Sequence, residues 1–129
     1  SVFVRDLVKG ITERADLDDN GVPANNGSFW STISGDGRYV AFYGYATNLV
    51  IPDANGSSDV FVRDRLAGAT IRVSESSEGV QGNNDNINPV ISGDGRSVAY
   101  GGGSINLDLL VTDNNFNCSC NSLAKNRAV

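Results

Sequence analysis

ISGDGRYVAF, residues 33–42, returns as ISGDGRSVAY at residues 91–100. The two copies stand 58 residues apart, 91 minus 33, and SVFVRD (1–6) returns as DVFVRD (59–64) at the same distance, 60 minus 2 for the leading valines. One spacing shared by two separate motifs marks a tandem duplication rather than chance similarity. Between the motifs, Gly10, Thr12, Arg14, Gly21, Asn25 and Asn26 match Gly68, Thr70, Arg72, Gly79, Asn83 and Asn84. The duplicated unit is therefore the whole 58 residues.

Four short strands are predicted in each unit. The first covers Ser28 to Ile33 and, in the next copy, Asn86 to Ile91. Asp36-Gly37 and Asp94-Gly95 then predict two-residue type I′ hairpin turns, because Asp tolerates and Gly freely accepts positive φ. Tyr39 to Tyr43 and Ser97 to Gly101 return as the second strand. The third strand is SVFVRD or DVFVRD, where three consecutive apolar residues predict burial on both faces. Thr12 to Ala15 and Thr70 to Val73 form a short fourth strand suited to a sheet edge, with Arg14 and Arg72 expected to point outward. The Asn- and Gly-rich stretches Asp16 to Gly27 and Ser74 to Asp85 are expected to be surface loops.

The final unit departs from the spacing. Asp108 to Asp113, DLLVTD, preserves the apolar pattern of DVFVRD at a distance of 49, 108 minus 59, which implies a loop shortened by nine residues, 58 minus 49. The rival register keeps 58 and sets Cys118 and Cys120 opposite Val60 and Val62. The first is preferred for its apolar pattern, and residues 114–129 are expected to be an irregular tail.

Composition agrees with an all-β chain: 15 Gly in 129 residues, with many Asn, Ser and Asp between short β-branched and aromatic runs. Forty per cent hydrophobic content supports a folded core, and a net charge of −5 argues against a nucleic-acid partner. No apolar run approaches the ~20 residues of a membrane-spanning helix, and SVFVRD has no signal-peptide build. The sequence contains no Met, which is consistent with a processed or partial chain.

The pattern S-x-D-G-R-x-V-A-[FY], present as SGDGRYVAF and SGDGRSVAY, followed by NLV, DVFVRD and the T-x-R-V-S strand, resembles the WD-like β-propeller repeats of TolB-related bacterial proteins. The resemblance covers residues 1–113. It implies β-propeller blades, each a four-stranded antiparallel sheet packed face to face with its neighbours. The repeats divide into a half blade at 1–27, a full blade at 28–85 and a further blade from 86. A closed propeller takes about 4 to 8 blades, so the chain is expected to be an incomplete propeller, closed only by homo-oligomerisation or as part of a longer chain. The resemblance also implies a periplasmic or secreted setting.

Candidate chemistry is sparse. Asp16-Leu17-Asp18-Asp19-Asn20-Gly21 spaces oxygen ligands like the opening of a calcium loop, but it lacks the late Glu, and its counterpart Ser74 to Gly79 keeps only the Gly. A solvated acidic turn explains it better, and an Asx turn explains Asp53-Ala54-Asn55-Gly56 with Asp59. Asp36 and Asp94 read as turn residues rather than a catalytic carboxylate pair. Arg5, Arg38, Arg63 and Arg96 recur at fixed positions and are expected to form structural ion pairs, with Asp6 and Asp64 nearby. Cys118 and Cys120 are too few for a zinc site and awkward as a mutual disulfide. With no His in the chain, Ser-His-Asp and Cys-His catalysis and His-based metal centres are excluded within it.

No catalytic residue, metal ligand set or cofactor is predicted, and the ligand-binding residues are left open. What differs between copies is aromatic: Phe29, Trp30, Tyr43 and Tyr45 face Ile87, Asn88, Gly101 and Gly103 in the alignment. Such a cluster binds a sugar or peptide, or fills a core or subunit interface. The expected function is a non-catalytic binding or scaffold module for a protein or small ligand. The alternatives are the propeller part of a larger hydrolase and a carbohydrate-binding module.

Overall fold

The computed structural model describes residues 1–107 and 121–126. Among them, strands form wherever the repeat places β-branched and aromatic runs between polar turns, and there is no helix. In chain order they are β1 (Phe3–Asp6), β2 (Ile11–Arg14), β3 (Ser28–Ile33), β4 (Tyr39–Gly44), β5 (Asp59–Asp64), β6 (Ala69–Arg72), β7 (Asn86–Ile91), β8 (Ser97–Gly102) and β9 (Asn121–Asn126). They make three antiparallel sheets, β1-β2, β3-β4-β5-β6 and β7-β8-β9, which stack without closing.

The central sheet has two apolar faces because neighbours cover both. Successive strand residues point to opposite sides. Val40, Phe42 and Phe61 pack with Val2 and Ala15 of the first sheet's segment. Tyr39, Ala41, Val60 and Val62 pack on the other side with Ile91, Val98 and Tyr100. Every residue of β5 is buried, as its unbroken VFV run predicts. The Phe42 and Phe61 rings lie 5.7 Å apart across β4 and β5.

In β1 the same run behaves differently. Val2 is buried and Val4 half-buried against the central sheet, while Phe3 is 59% exposed. Two-sided burial holds for DVFVRD and fails for SVFVRD, because among the described residues no sheet covers the far face of β1.

The hairpins are not two-residue type I′ turns. Asp36 and Asp94 keep negative φ, and only Gly37 and Gly95 are left-handed, at 75° and 72°. The backbone turns through Ser34–Gly37, with Gly37 N donating to the Ser34 carbonyl and Ser34 N to the Tyr39 carbonyl, both 2.9 Å. Ser34 Oγ donates to Asp36 Oδ1 at 2.7 Å and accepts from Tyr39 N at 3.0 Å, while Asp36 Oδ1 also accepts from Arg38 N at 3.0 Å. Ser92, Asp94, Arg96 and Ser97 repeat these bonds. The Ser–Asp pair makes a longer loop more favourable than the tight turn.

In the third sheet, the strand beside β8 is β9, pairing Ser97 with Asn126 and Gly102 with Asn121. The tail expected to be irregular thus contains a strand. The run NSLAKN lacks the three apolar residues of DVFVRD, so the repeat pattern does not mark it, although its backbone completes the ladder beside β8. DLLVTD, Cys118 and Cys120 lie outside the described residues.

Candidate functional site

Phe29 opens an aromatic cluster that the repeat does not reproduce, with Phe29 and Tyr45 exposed and Tyr43 half-buried against the core between the second and third sheets. It pairs with Tyr43 across β3 and β4, with ring centroids 5.7 Å apart. Tyr45, just beyond β4, meets the Phe29 ring edge-on at 6.5 Å. The Phe29 ring also lies over Gly27, where a Cβ would come within 2.6 Å of it. Gly27 in turn accepts a bond from Tyr45 N at 3.1 Å, tying the two ends of the cluster together.

After Phe29 the β3–β4 register slips until Thr32 pairs with Ala41. The slip turns Trp30 to φ 43° and leaves 64% of its surface exposed. The equivalent slip in β7 falls between Ile87 and Val90, with Asn88 at φ 54°. Asn is at home in left-handed backbone, whereas bulky Trp is rare there. Bulges re-aim side chains, and strain of this kind collects at ligand-contacting positions. The strand therefore carries a mutually braced group of Phe29, Tyr43 and Tyr45 and, next in sequence, the exposed indole of Trp30.

The other candidates are absorbed by structure. Asp36 and Asp94 are held below the usual carboxylate value first by the Ser34 and Ser92 hydroxyls and then by the Arg38 and Arg96 amides. In the acidic loop, Asp18 Oδ1 accepts from Asn20 N and Val22 N, both at 2.8 Å, and Asp19 Oδ1 from Thr70 N at 2.7 Å. Burial opposes ionisation of Asp16, yet the Arg14 guanidinium at 2.8 Å and the Val2 amide hold its carboxyl low. Asn55 Oδ1 accepts from Ser57 N at 2.9 Å, the Asx turn expected ahead of β5. Among the described residues no three His, Cys, Asp or Glu side chains converge as a metal site.

The arginines divide. Arg38 forms the expected ion pair, its Nη2 lying 2.8 Å from Asp64 Oδ2. Arg63 instead donates to the carbonyl of Asp18 at 3.0 Å and to Thr70 Oγ1 at 3.2 Å, and Arg5 to Thr12 Oγ1 at 3.0 Å. Their places mid-strand bring them beside the loop and the fourth strand, out of line with Asp6 and Asp64.

Arg72 does not point outward: it is 6% exposed, and its Nη2 donates to the Pro52 carbonyl at 2.6 Å. It lies 3.6 Å from Asp59, which burial pushes above the ordinary carboxylate value against bonds from Ser74 and Gln81. Sequence reasoning missed this pair because the repeat partner of Asp59 is Ser1. The counterpart carboxylate has moved to Asp16, aligned with Ser74. The left-handed site at Trp30 also had a readable signal, the alignment of Trp30 with Asn88.

Comparison with known proteins finds no matching family model, no matching curated protein and no matching solved structure. The patch is accordingly read from its own geometry.

Proposed function

We propose that the chain is a non-catalytic binding module built of TolB-like, WD-like β-propeller blades, with Phe29, Trp30, Tyr43 and Tyr45 as the surface that contacts a protein or small ligand. Support for the blade reading comes from the four-stranded meander β3-β4-β5-β6, from hairpins with the same bonds in successive units, and from apolar faces shared between neighbouring sheets. The observation that carries the binding reading is Trp30 at φ 43°, exposed, in a place where the other copy has Asn88. A large apolar side chain held in a costly backbone state at the surface has no packing reason to be there. The TolB resemblance adds a periplasmic or secreted setting.

Trp30 is the sole Trp, so its fluorescence reports on the patch directly. A peptide and glycan array probed with the protein is expected to give ligands that shift this emission, and Trp30→Ala is expected to lose them. Ligands bound equally by Trp30→Ala would overturn the reading. The exposed indole of Trp30 favours a second reading within the same test, a carbohydrate whose ring stacks on it.

A further inference from the structure

We propose that β1 of one copy of the chain pairs with β8 of a second copy, in place of β9, so that β7, β8, β1 and β2 form a four-stranded sheet like β3-β4-β5-β6. The inference rests on the blade reading above. It goes beyond that reading by naming the partner, the strands and the register.

The register follows from the repeat. In the central sheet Tyr39 pairs with Asp64, Val40 with Arg63, Ala41 with Val62 and Phe42 with Phe61. Shifted by one repeat on β4 and back by one on β5, these pairs become Ser97 with Asp6, Val98 with Arg5, Ala99 with Val4 and Tyr100 with Phe3. The aromatic pair and the apolar pair are both kept.

Charge supplies the second argument. Asp64 Oδ1 accepts from Leu66 N and Ala67 N, both at 3.1 Å, and the carboxylate also receives Arg38. Asp6 is set in the same turn, its Oδ1 accepting from Val8 N at 2.9 Å and Lys9 N at 2.8 Å, but among the described residues no arginine bonds to it, and Lys9 and Arg65 act on it only through space. Arg96 leaves its hairpin as Arg38 does, with its backbone amide on Asp94 Oδ1, and its guanidinium makes no bond among the described residues. The β9 residue opposite Ser97 is Asn126, which carries no charge. Among the described residues, then, the Asp6 carboxylate makes no bond to an arginine and the Arg96 guanidinium makes none to a carboxylate, with Lys9 and Arg65 near the first and Asp94 near the second.

Shape supplies the third. Along the free edge of β1 runs a groove of about 240 Å³, lined by Phe3, Arg5, Thr32 and Ile33 among others. In the next interface the corresponding space, between β5 and β7, is filled by β4. There Ile91, the counterpart of Ile33, is 7% exposed and clustered with Ala41, whereas Ile33 is 46% exposed. A second copy's β8 would set exposed Ala99 over Ile33 and bring Phe3 beside Tyr100. Such a contact is head-to-tail, using different surfaces on the two copies.

Sedimentation equilibrium of the 129-residue chain is expected to show a multiple of the chain mass. Asp6→Arg and Arg96→Asp are each expected to weaken association at least about tenfold, the loss of a paired charge at an interface, and an equimolar mixture of the two is expected to restore it, since alternating copies join Arg to Asp at each contact. The double variant, in which every interface again joins opposite charges, is expected to restore it fully. Ala99→Arg, on a face exposed in the single chain, is expected to give a folded monomer. A wild-type chain that stays monomeric at millimolar concentration overturns the proposal, as does an oligomer indifferent to Asp6→Arg, Arg96→Asp and Ala99→Arg. Arg38→Ala separates the two readings: it should lower thermal stability at every concentration. If Arg38→Ala destabilises while the Asp6, Arg96 and Ala99 variants leave the mass unchanged, the docking falls and the blade reading stands. If Arg38→Ala has no effect, the equivalence of the repeats falls, and the docking with it.

Discussion

Arg38 and Asp64 join the hairpin end of β4 to the last residue of β5 by two parallel bonds, Nε to Oδ1 at 2.9 Å and Nη2 to Oδ2 at 2.8 Å. The fork geometry of guanidinium and carboxylate makes this a stronger contact than a single ion pair. Arg65 N also donates to the Arg38 carbonyl at 2.9 Å, so the backbone is fixed at the same corner.

The pair predicts a particular acid response. Arg38 holds the Asp64 carboxyl down to about 2 from an ordinary 3.8. A depressed carboxylate contributes stability that is present above the unfolded value and lost as pH falls through the folded one. Its contribution should therefore fade between 3.8 and about 2. Asp59 has the opposite sign: burial raises it, so its contribution is fullest below the ordinary carboxylate value and declines as pH rises through the raised one. Urea unfolding across acid pH is expected to show a shallower loss for Asp64→Asn over that interval. For Asp59→Asn it should show a flatter curve just above it. An Asp64→Asn curve parallel to the wild type would contradict the assignment.

Phe61 and Phe3 occupy the same place in successive repeats and should respond very differently to truncation. Phe61 is fully buried and stacks on Phe42, so Phe61→Ala is expected to cost about 3–5 kcal/mol. Phe3→Ala removes a ring already in water and is expected to change stability by no more than about 0.5 kcal/mol. Denaturation at low protein concentration measures both without contribution from association. Equal losses would mean that the exposed face of β1 is covered in the folded chain.

That contrast also shows where the sequence was legible. The VFV pattern fixed strand position and facing, and Ser28–Ile33, Asn86–Ile91 and Asp59–Asp64 have the predicted bounds. It could not show whether a neighbouring sheet existed, which is what separates Phe3 from Phe61. Asp-Gly alone specifies the tight turn, and it is Ser34, whose hydroxyl draws Asp36 into a longer loop, that decides the hairpin. The inward turn of Arg72 is not legible in the repeat because its carboxylate, Asp59, has no acidic counterpart in the first copy. The residues of the aromatic patch were visible as differences between copies. Their mutual contacts and the φ of Trp30 depend on a register slip that local pattern does not encode.

Tyr100 tests the interface between the second and third sheets. Its hydroxyl donates to the Val73 carbonyl at 3.0 Å in a buried setting. Tyr100→Phe keeps the ring and leaves that carbonyl without its donor, an expected loss of about 1 kcal/mol. Burial pushes the phenol up to about 12, so ultraviolet titration of the wild type should contain a late step that Tyr100→Phe lacks. No change in either measurement would place the hydroxyl in water.

Trp30→Asn separates the structural and binding roles of the aromatic patch. The substitution copies the residue that the next repeat uses at the same bulge, where Asn88 has φ 54° against 43° for Trp30. Left-handed backbone costs a bulky residue of order 1–3 kcal/mol and costs Asn less. Because most of the indole is in water, little burial is lost, and a gain of about 1 kcal/mol in unfolding free energy is expected. The urea midpoint should rise with an unchanged slope, the sign of a stability change without altered compactness. The same variant should lose whatever ligand shifts Trp30 emission in the wild type, since Asn offers no stacking face. A stability loss instead of a gain would mean that the indole supports the sheet, and the patch would then have a structural reason for its Trp.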